Sequence, residues 1–114
     1  MTQSRRALGA SGEDAVAAWY RANGYEVVAR NWRCRQGELD LVARRGRAIV
    51  FCEVKTRSSA AFGAPVEAVT RTKQARLRVL AARWLEDSAF AAREIRFDVA
   101  SVLDGQLEVL EGAF

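Results

Sequence analysis

The 114-residue chain contains no histidine. That absence excludes imidazole general acid–base catalysis, serine or cysteine triads built on histidine, and histidine-ligated zinc. Cysteine is almost as scarce. Cys34 and Cys52 lack the paired spacing of a zinc or redox motif, so no metal-thiolate site and no disulfide framework is expected. Cys52, set in an apolar run, is expected to be a small core residue. There is one proline, and no apolar run approaches the roughly 20 residues of a membrane span. No apolar segment follows Arg5 and Arg6, so no signal peptide is expected and the chain reads as cytoplasmic.

What is present is a folded composition, 50% hydrophobic and 28% charged. The length predicts one domain over residues 1–114, with residues 1–10 as a flexible arm. Eighteen Lys and Arg against 14 Asp and Glu give a net charge of +4, which suits a polyanionic partner such as nucleic acid.

The stretch that organises the chain runs over residues 37–55. It reads as two apolar strands, Gly37-Glu38-Leu39-Asp40-Leu41-Val42-Ala43 and Ala48-Ile49-Val50-Phe51-Cys52-Glu53-Val54-Lys55, around a tight turn. Side chains alternate faces along a strand, so Leu39 and Leu41 should share one face, with Glu38 and Asp40 on the other. Ile49, Phe51, Glu53 and Lys55 share a face in the same way.

Gly46-Arg47 fits a two-residue type II′ hairpin loop, which needs glycine first. Arg45 then pairs with Ala48, Val42 with Phe51, and Asp40 stands opposite Glu53, with side chains about 4.5–5.5 Å apart. A three-residue loop would instead set Asp40 against Cys52, and a four-residue loop would bring Glu38 opposite Glu53. Two carboxylates so close repel each other unless a cation holds both. They are hard oxygen ligands suited to Mg²⁺ or Mn²⁺. Such an ion lowers the pKa of a water and neutralises a phosphate oxygen during in-line attack. Lys55, on the face of Glu53, could orient that water or stabilise the transition state. The plainer alternative is a solvated sheet face with cross-strand Glu–Lys and Asp–Arg pairs, but that face would expose Ile49 and Phe51 as well.

Around this stretch, Ser11 is a helix cap with Asp14 reaching back to it. Ala15, Val16, Trp19 and Tyr20 form an apolar stripe, and Gly24 ends the helix. Residues 25–30 read as a strand and residues 31–36 as a polar link. Residues 56–64 read as a mobile loop beside the charged face, and Pro65 suits the first turn of a helical segment. Thr70 caps a long helix whose Leu77, Leu80, Ala81, Trp84 and Leu85 repeat at three and four residues. Its other face carries Arg71, Lys73, Arg76, Arg78 and Arg83. Ile95, Phe97 and Val99 alternate with Arg96 and Asp98, and Asp104-Gly105 turns the chain into a last strand at Leu107 and Val109. The order helix, three strands, helix, two strands implies a layered domain with a mixed sheet, in which the strand after the long helix runs parallel to the hairpin.

The sequence resembles the YraN family of small, largely uncharacterised bacterial proteins. The resemblance is carried by Glu13, Gly24-Tyr25, Arg30-Asn31, Gly37-Glu38-Leu39-Asp40-Leu41, Glu53-Val54-Lys55-Thr56-Arg57, Lys73, Arg76-Leu77 and Arg96-Phe97-Asp98-Val99. That family is in turn similar to the restriction-endonuclease-like PD-(D/E)XK superfamily, nearest to the archaeal Holliday junction resolvases. The resemblance implies an α/β fold with an αβββαβ core, its mixed central sheet flanked by helices.

It also implies a metal-dependent DNA endonuclease. Asp40 and Glu53 would be metal ligands, Lys55 the catalytic lysine, and Glu13 a helix acid approaching the ion or its water. Leu39 stands where the superfamily name has proline. Branched DNA enters as a substrate through the resolvases alone. Arg57, Lys73 and Arg76 are the candidate phosphate contacts, with a merely solvated helix face as the alternative for the last two. Glu38 reads as an outer or solvated acid, Asp98 as a structural partner of Arg96, and Trp32 as a packing residue. A homodimer would suit two-strand cleavage. The alternative function is a catalytically silent module of the same fold that binds nucleic acid or a protein.

Overall fold

A computed structural model describes residues 2–57 and 69–114, with side chains from Ser11 onward. The elements are α1 (Thr2–Ala22), β1 (Glu26–Cys34), β2 (Gly37–Arg45), β3 (Ala48–Arg57), α2 (Arg71–Asp87), β4 (Glu94–Leu103) and β5 (Gln106–Leu110). The strands form one sheet in the order β1-β2-β3-β4-β5. All neighbours are antiparallel except β3 and β4, which run parallel across the α2 connection. The fold is therefore mixed α/β, compatible with the expected αβββαβ core.

β3 lies at the centre of the sheet and is apolar on both faces, as are its neighbours β2 and β4. Ile49 and Phe51 pack with Leu77, Leu80, Ala81 and Trp84 of α2. Val50 and Cys52 pack with Val16, Ala17 and Tyr20 of α1. The period-two alternation of one strand thus builds two cores, one under each helix. Cys52 is buried as expected, and burial pushes its thiol up to about 12.

Three expectations need correction. α1 begins at Thr2, so residues 2–10, read as a flexible arm, are helical and Ser11 lies inside the helix. Ala7, Leu8 and Ala10 favour helix strongly enough that the potential cap does not stop it. The polar link at residues 31–36 is mostly strand: β1 runs on to Cys34 and turns into β2 through Arg35 and Gln36, with Cys34 paired to Gly37. Trp32 pairs with Leu39 there and is half-buried against the α2 core, as a packing residue should be. Thr56 and Arg57, read as the start of a loop, finish β3, and the rest of that loop and Pro65 lie outside the described residues.

The predicted end of α1 and start of α2 hold. Gly24 adopts φ +85° after α1, its N–H donating to Arg21 O at 3.1 Å and that of Tyr25 to Tyr20 O at 2.9 Å. This is the Schellman pairing that glycine permits. Thr70 caps α2, its side-chain oxygen accepting from Lys73 N at 3.2 Å.

α1 lies close to the sheet at Gly12. A Cβ there would collide with Thr56 Oγ1, and it would also stand 3.0 Å from Thr56 Cγ2 and 3.1 Å from its Cβ. No Thr56 rotamer removes all three contacts. Gly12→Ala would gain up to about 1 kcal/mol of helix propensity, but the overpacking should outweigh it by roughly 1–3 kcal/mol. Net destabilisation in urea, partly relieved by Thr56→Ala, is the expected result; an unchanged midpoint would mean that α1 does not approach so closely.

Asp98, fully buried, ties α1 to β4 and to the chain after β5. Its Oδ1 accepts from Arg96 Nε at 2.8 Å and Gly112 N at 2.9 Å, and its Oδ2 from Tyr20 Oη at 2.6 Å and an Arg96 terminal nitrogen at 2.9 Å. Asp98→Ala leaves the partly buried Arg96 guanidinium with Glu111 as its remaining carboxylate partner and unpairs Tyr20 Oη and Gly112 N, and should cost about 3–5 kcal/mol. Tyr20→Phe removes one of four bonds and should cost about 1–2 kcal/mol. Denaturation midpoints that rank these two the other way would remove Asp98 from that role.

Candidate active site

The hairpin has the predicted register. Arg45 pairs with Ala48 and Val42 with Phe51, and Gly46 takes φ +61°, as the first position of a II′ turn requires. The ladder stops at Leu41 and Cys52, so the next positions on the two strands are Asp40 and Glu53. Beyond that point Asp40 Oδ2 accepts the Val54 N–H at 2.9 Å, and a carboxylate supplies the partner that a continued ladder would have given.

The alternation of β2 breaks at the same place. Leu39 packs in the α2 core and Leu41 in the α1 core, whereas regular pleating would put them on one face. β2 turns about Asp40 as it leaves β3, while Leu39 and Glu38 stay paired to β1.

Glu53 is only 9% exposed. Its Oε1 receives Lys73 Nζ at 2.8 Å and Lys55 Nζ at 3.3 Å. Burial and the charge of Glu53 push the Asp40 carboxyl up to about 7, against the donated Val54 N–H that lowers it. Burial and the neighbouring Lys73 hold Lys55 below the ordinary lysine range, although Glu53 opposes them. Burial, the largest single influence on Lys73, acts in the same direction, but its bonds to Glu53 and Lys55 and the charges of Glu53 and Asp40 together outweigh it and raise it. Of the two ammonium groups, Lys55 is therefore the readier to give up a proton.

The other candidates divide. Glu13 Oε1 stands 3.9 Å from an Arg30 nitrogen that bonds Asp14 at 2.7 Å, and its charge contributes to the raised Asp40 value. Glu38 pairs with Arg33 at 2.8 Å, outside the acidic pair. Arg76 lies one helical turn beyond Lys73, its stem over Gly37. Arg57, the last residue of β3, shares strand parity with Glu53 and Lys55. Lys73, expected on phosphate, is engaged with a carboxylate instead. Its position in the first turn of α2 is legible from Thr70, but sequence gives no sign that this turn sits over the end of β3.

Among the described residues no group of three or more acidic, cysteine or histidine side chains is arranged around one point. The site is a pair of acids with two lysines, at the edge where β2 and β3 part. No helix among these residues is long and apolar enough to cross a membrane.

This geometry defines a small mixed α/β protein with a partly buried carboxylate–lysine cluster at the end of the β2–β3 ladder. The uncharacterised protein family UPF0102 matches residues 12–102, and the chain belongs to it; this is the family of the YraN resemblance. A UPF0102 protein of Beutenbergia cavernae is 61% identical over 101 residues, covering 89% of this chain and 86% of its own. One of Nocardia farcinica is 54% identical over 99 residues, with 87% and 78% covered. A third, of Moorella thermoacetica, is 49% identical over 120 residues and is matched along 100% of both chains.

The raised Asp40 value has a direct consequence for stability. Between the ordinary 3.8 and about 7 the folded chain binds a proton at Asp40 that the unfolded chain does not. Stability therefore falls as pH rises through that window. Urea denaturation in chelator from pH 4.5 to 8 should show this loss, on the order of 1–3 kcal/mol. Asp40→Asn, which still accepts the Val54 N–H, should flatten it. Equal slopes for the two proteins would contradict a buried, charge-crowded Asp40.

Proposed function

We infer that this protein is a cytoplasmic, metal-dependent endonuclease that hydrolyses DNA phosphodiester bonds. The observation that carries the reading is that Asp40 and Glu53 succeed each other across the end of the β2–β3 ladder, with Lys55 beside Glu53. Mg²⁺ is often held by one or two carboxylates, waters and substrate phosphates, so an acidic pair is a sufficient donor set. Burial and the nearby Glu53 charge push Asp40 up to about 7, and a divalent ion held by both acids would relieve that repulsion.

Asp40 and Glu53 would hold the Mg²⁺ or Mn²⁺, which when bound would supply a more acidic water and charge neutralisation at phosphate. The remaining work falls to the chain. Lys55, fixed by β3 and with its proton loosened by burial, orients the attacking water and stabilises the charge that develops on phosphorus oxygens. Glu13 adds negative potential from α1. Arg57 and Arg76 flank the pocket and meet the DNA backbone, which fixes position without reading sequence. Branched DNA is one candidate substrate.

A second reading, a DNA-binding module without turnover, is favoured by the two ammonium groups already neutralising Glu53. The two part in a cleavage screen over linear, nicked, flap and four-way DNA with Mg²⁺ or Mn²⁺. Cutting should require the metal, disappear in Asp40→Asn and Glu53→Gln that remain folded by circular dichroism, and fall by about 10²–10⁴ in Lys55→Met. Salt-sensitive DNA binding that survives all three changes, with no cleavage of any substrate, would establish the silent module instead.

A further inference from the structure

Two ammonium groups converge on one oxygen, Glu53 Oε1, and they reach it from different layers. Lys55 belongs to the same strand, two residues on, so it remains beside Glu53 as long as the sheet is intact. Lys73 arrives from the first turn of α2 at the shorter distance, 2.8 Å, with its side chain 32% exposed. A long flexible stem anchored at a helix end can carry its ammonium out to water without disturbing the packed layers.

Glu53 is thus already neutralised in the metal-free protein, by two ammonium groups on one of its oxygens. A divalent ion entering beside Asp40 meets Lys73 as a competitor. If the ion ligates Oε1, it needs the lone pair that the ammonium occupies. If it ligates the other oxygen, two cations stand only about 4 Å apart in a half-buried pocket, and that repulsion is poorly screened.

We propose that the Lys73 ammonium is a tethered counter-ion that holds Glu53 Oε1 in the metal-free protein and must leave that oxygen for a divalent ion to bind. The proposal rests on the metal-binding reading above and adds to it a competitor built into the chain. Metal affinity is then set by the carboxylates less the work of displacing Lys73. The displaced ammonium, still anchored to α2, becomes a cation for the phosphodiester that the loaded pocket would receive.

Calorimetric and electron-paramagnetic titration with Mn²⁺ alone, on the full chain after chelator treatment, tests this. Lys73→Met keeps the stem and removes the charge, and the main-chain bond to the Thr70 cap is untouched. It should bind Mn²⁺ about tenfold more tightly than the parent, while its metal-free melting temperature falls. Lys73→Arg, which keeps the cation, should bind as the parent does. The opposite signs matter, because a lysine that merely supported the fold would lower stability without improving metal affinity. Equal, measurable affinities in parent and Lys73→Met overturn the counter-ion role and leave the metal site standing, and so does an equal gain in Lys73→Arg. Absence of Mn²⁺ uptake by all three proteins overturns the metal site and this role together.

Discussion

Two carboxylates occupy the next positions beyond the end of a β-ladder because the hairpin turn sets the register that leads to them. Gly46 sets a two-residue loop, the loop sets the pairing, and the pairing delivers Asp40 and Glu53 to successive positions where β2 and β3 separate. Like charges opposite each other in a sheet are destabilising, and the structure responds in three ways. β2 turns away at Asp40 and Leu39 changes core. Asp40 turns one oxygen onto the Val54 N–H. Glu53 draws in two lysines. Each response costs regular sheet geometry or side-chain freedom, so the acidic pair is the local rule-breaker around which the rest is arranged.

The frame that holds this irregularity is rigid. β3 is buried between two cores, and α1 is locked in place by Asp98 through Tyr20 as well as by the close approach at Gly12. Asp98 and Glu53 are the two buried charged residues among those described, and they differ in kind. Asp98 has four donors for two oxygens and burial that is fully compensated, which is the condition for a buried ion pair to be tolerated. Glu53 is satisfied by flexible ammonium groups that remain partly exposed, and its neighbour Asp40 is pushed up to about 7. One acid is held by four bonds within the packed fold, and the other by ammonium groups whose side chains are partly exposed.

How much of this could be read from residues alone follows from which interactions are local. The II′ turn, the Gly24 stop and the Thr70 cap depend on a few adjacent residues, and sequence located all three. The parity of β3, and with it the buried Cys52 and the shared face of Glu53 and Lys55, follows from strict alternation. The failures sit where a distant element decides. Ser11 has the chemistry of a cap, but the residues before it continue the helix. Asn31 to Gln36 look like a link because they are polar, yet an edge strand needs only one apolar face, and Trp32 and Cys34 provide it. Leu39 departs from alternation because the ladder ends beside it, a fact about β3. Lys73 reads from sequence as a candidate phosphate contact or a solvated cation, and only the packing of α2 sets it over Glu53.

That last case bears on how charge should be read in the pocket. Had Lys73 and Arg76 both been surface cations, the acidic pair would stand with Lys55 alone and carry net negative charge. With Lys73 drawn in to Glu53, the cations left on that face of α2 are arginines, Arg71 before it and Arg76, Arg78 and Arg83 beyond. Under the proposed function, affinity for DNA and the state of the acidic pair would be linked through a single side chain that can serve either one but not both. A helix whose apolar face is settled by Leu77, Leu80 and Trp84 thus also brings an ammonium group from another layer of the fold to the broken ladder.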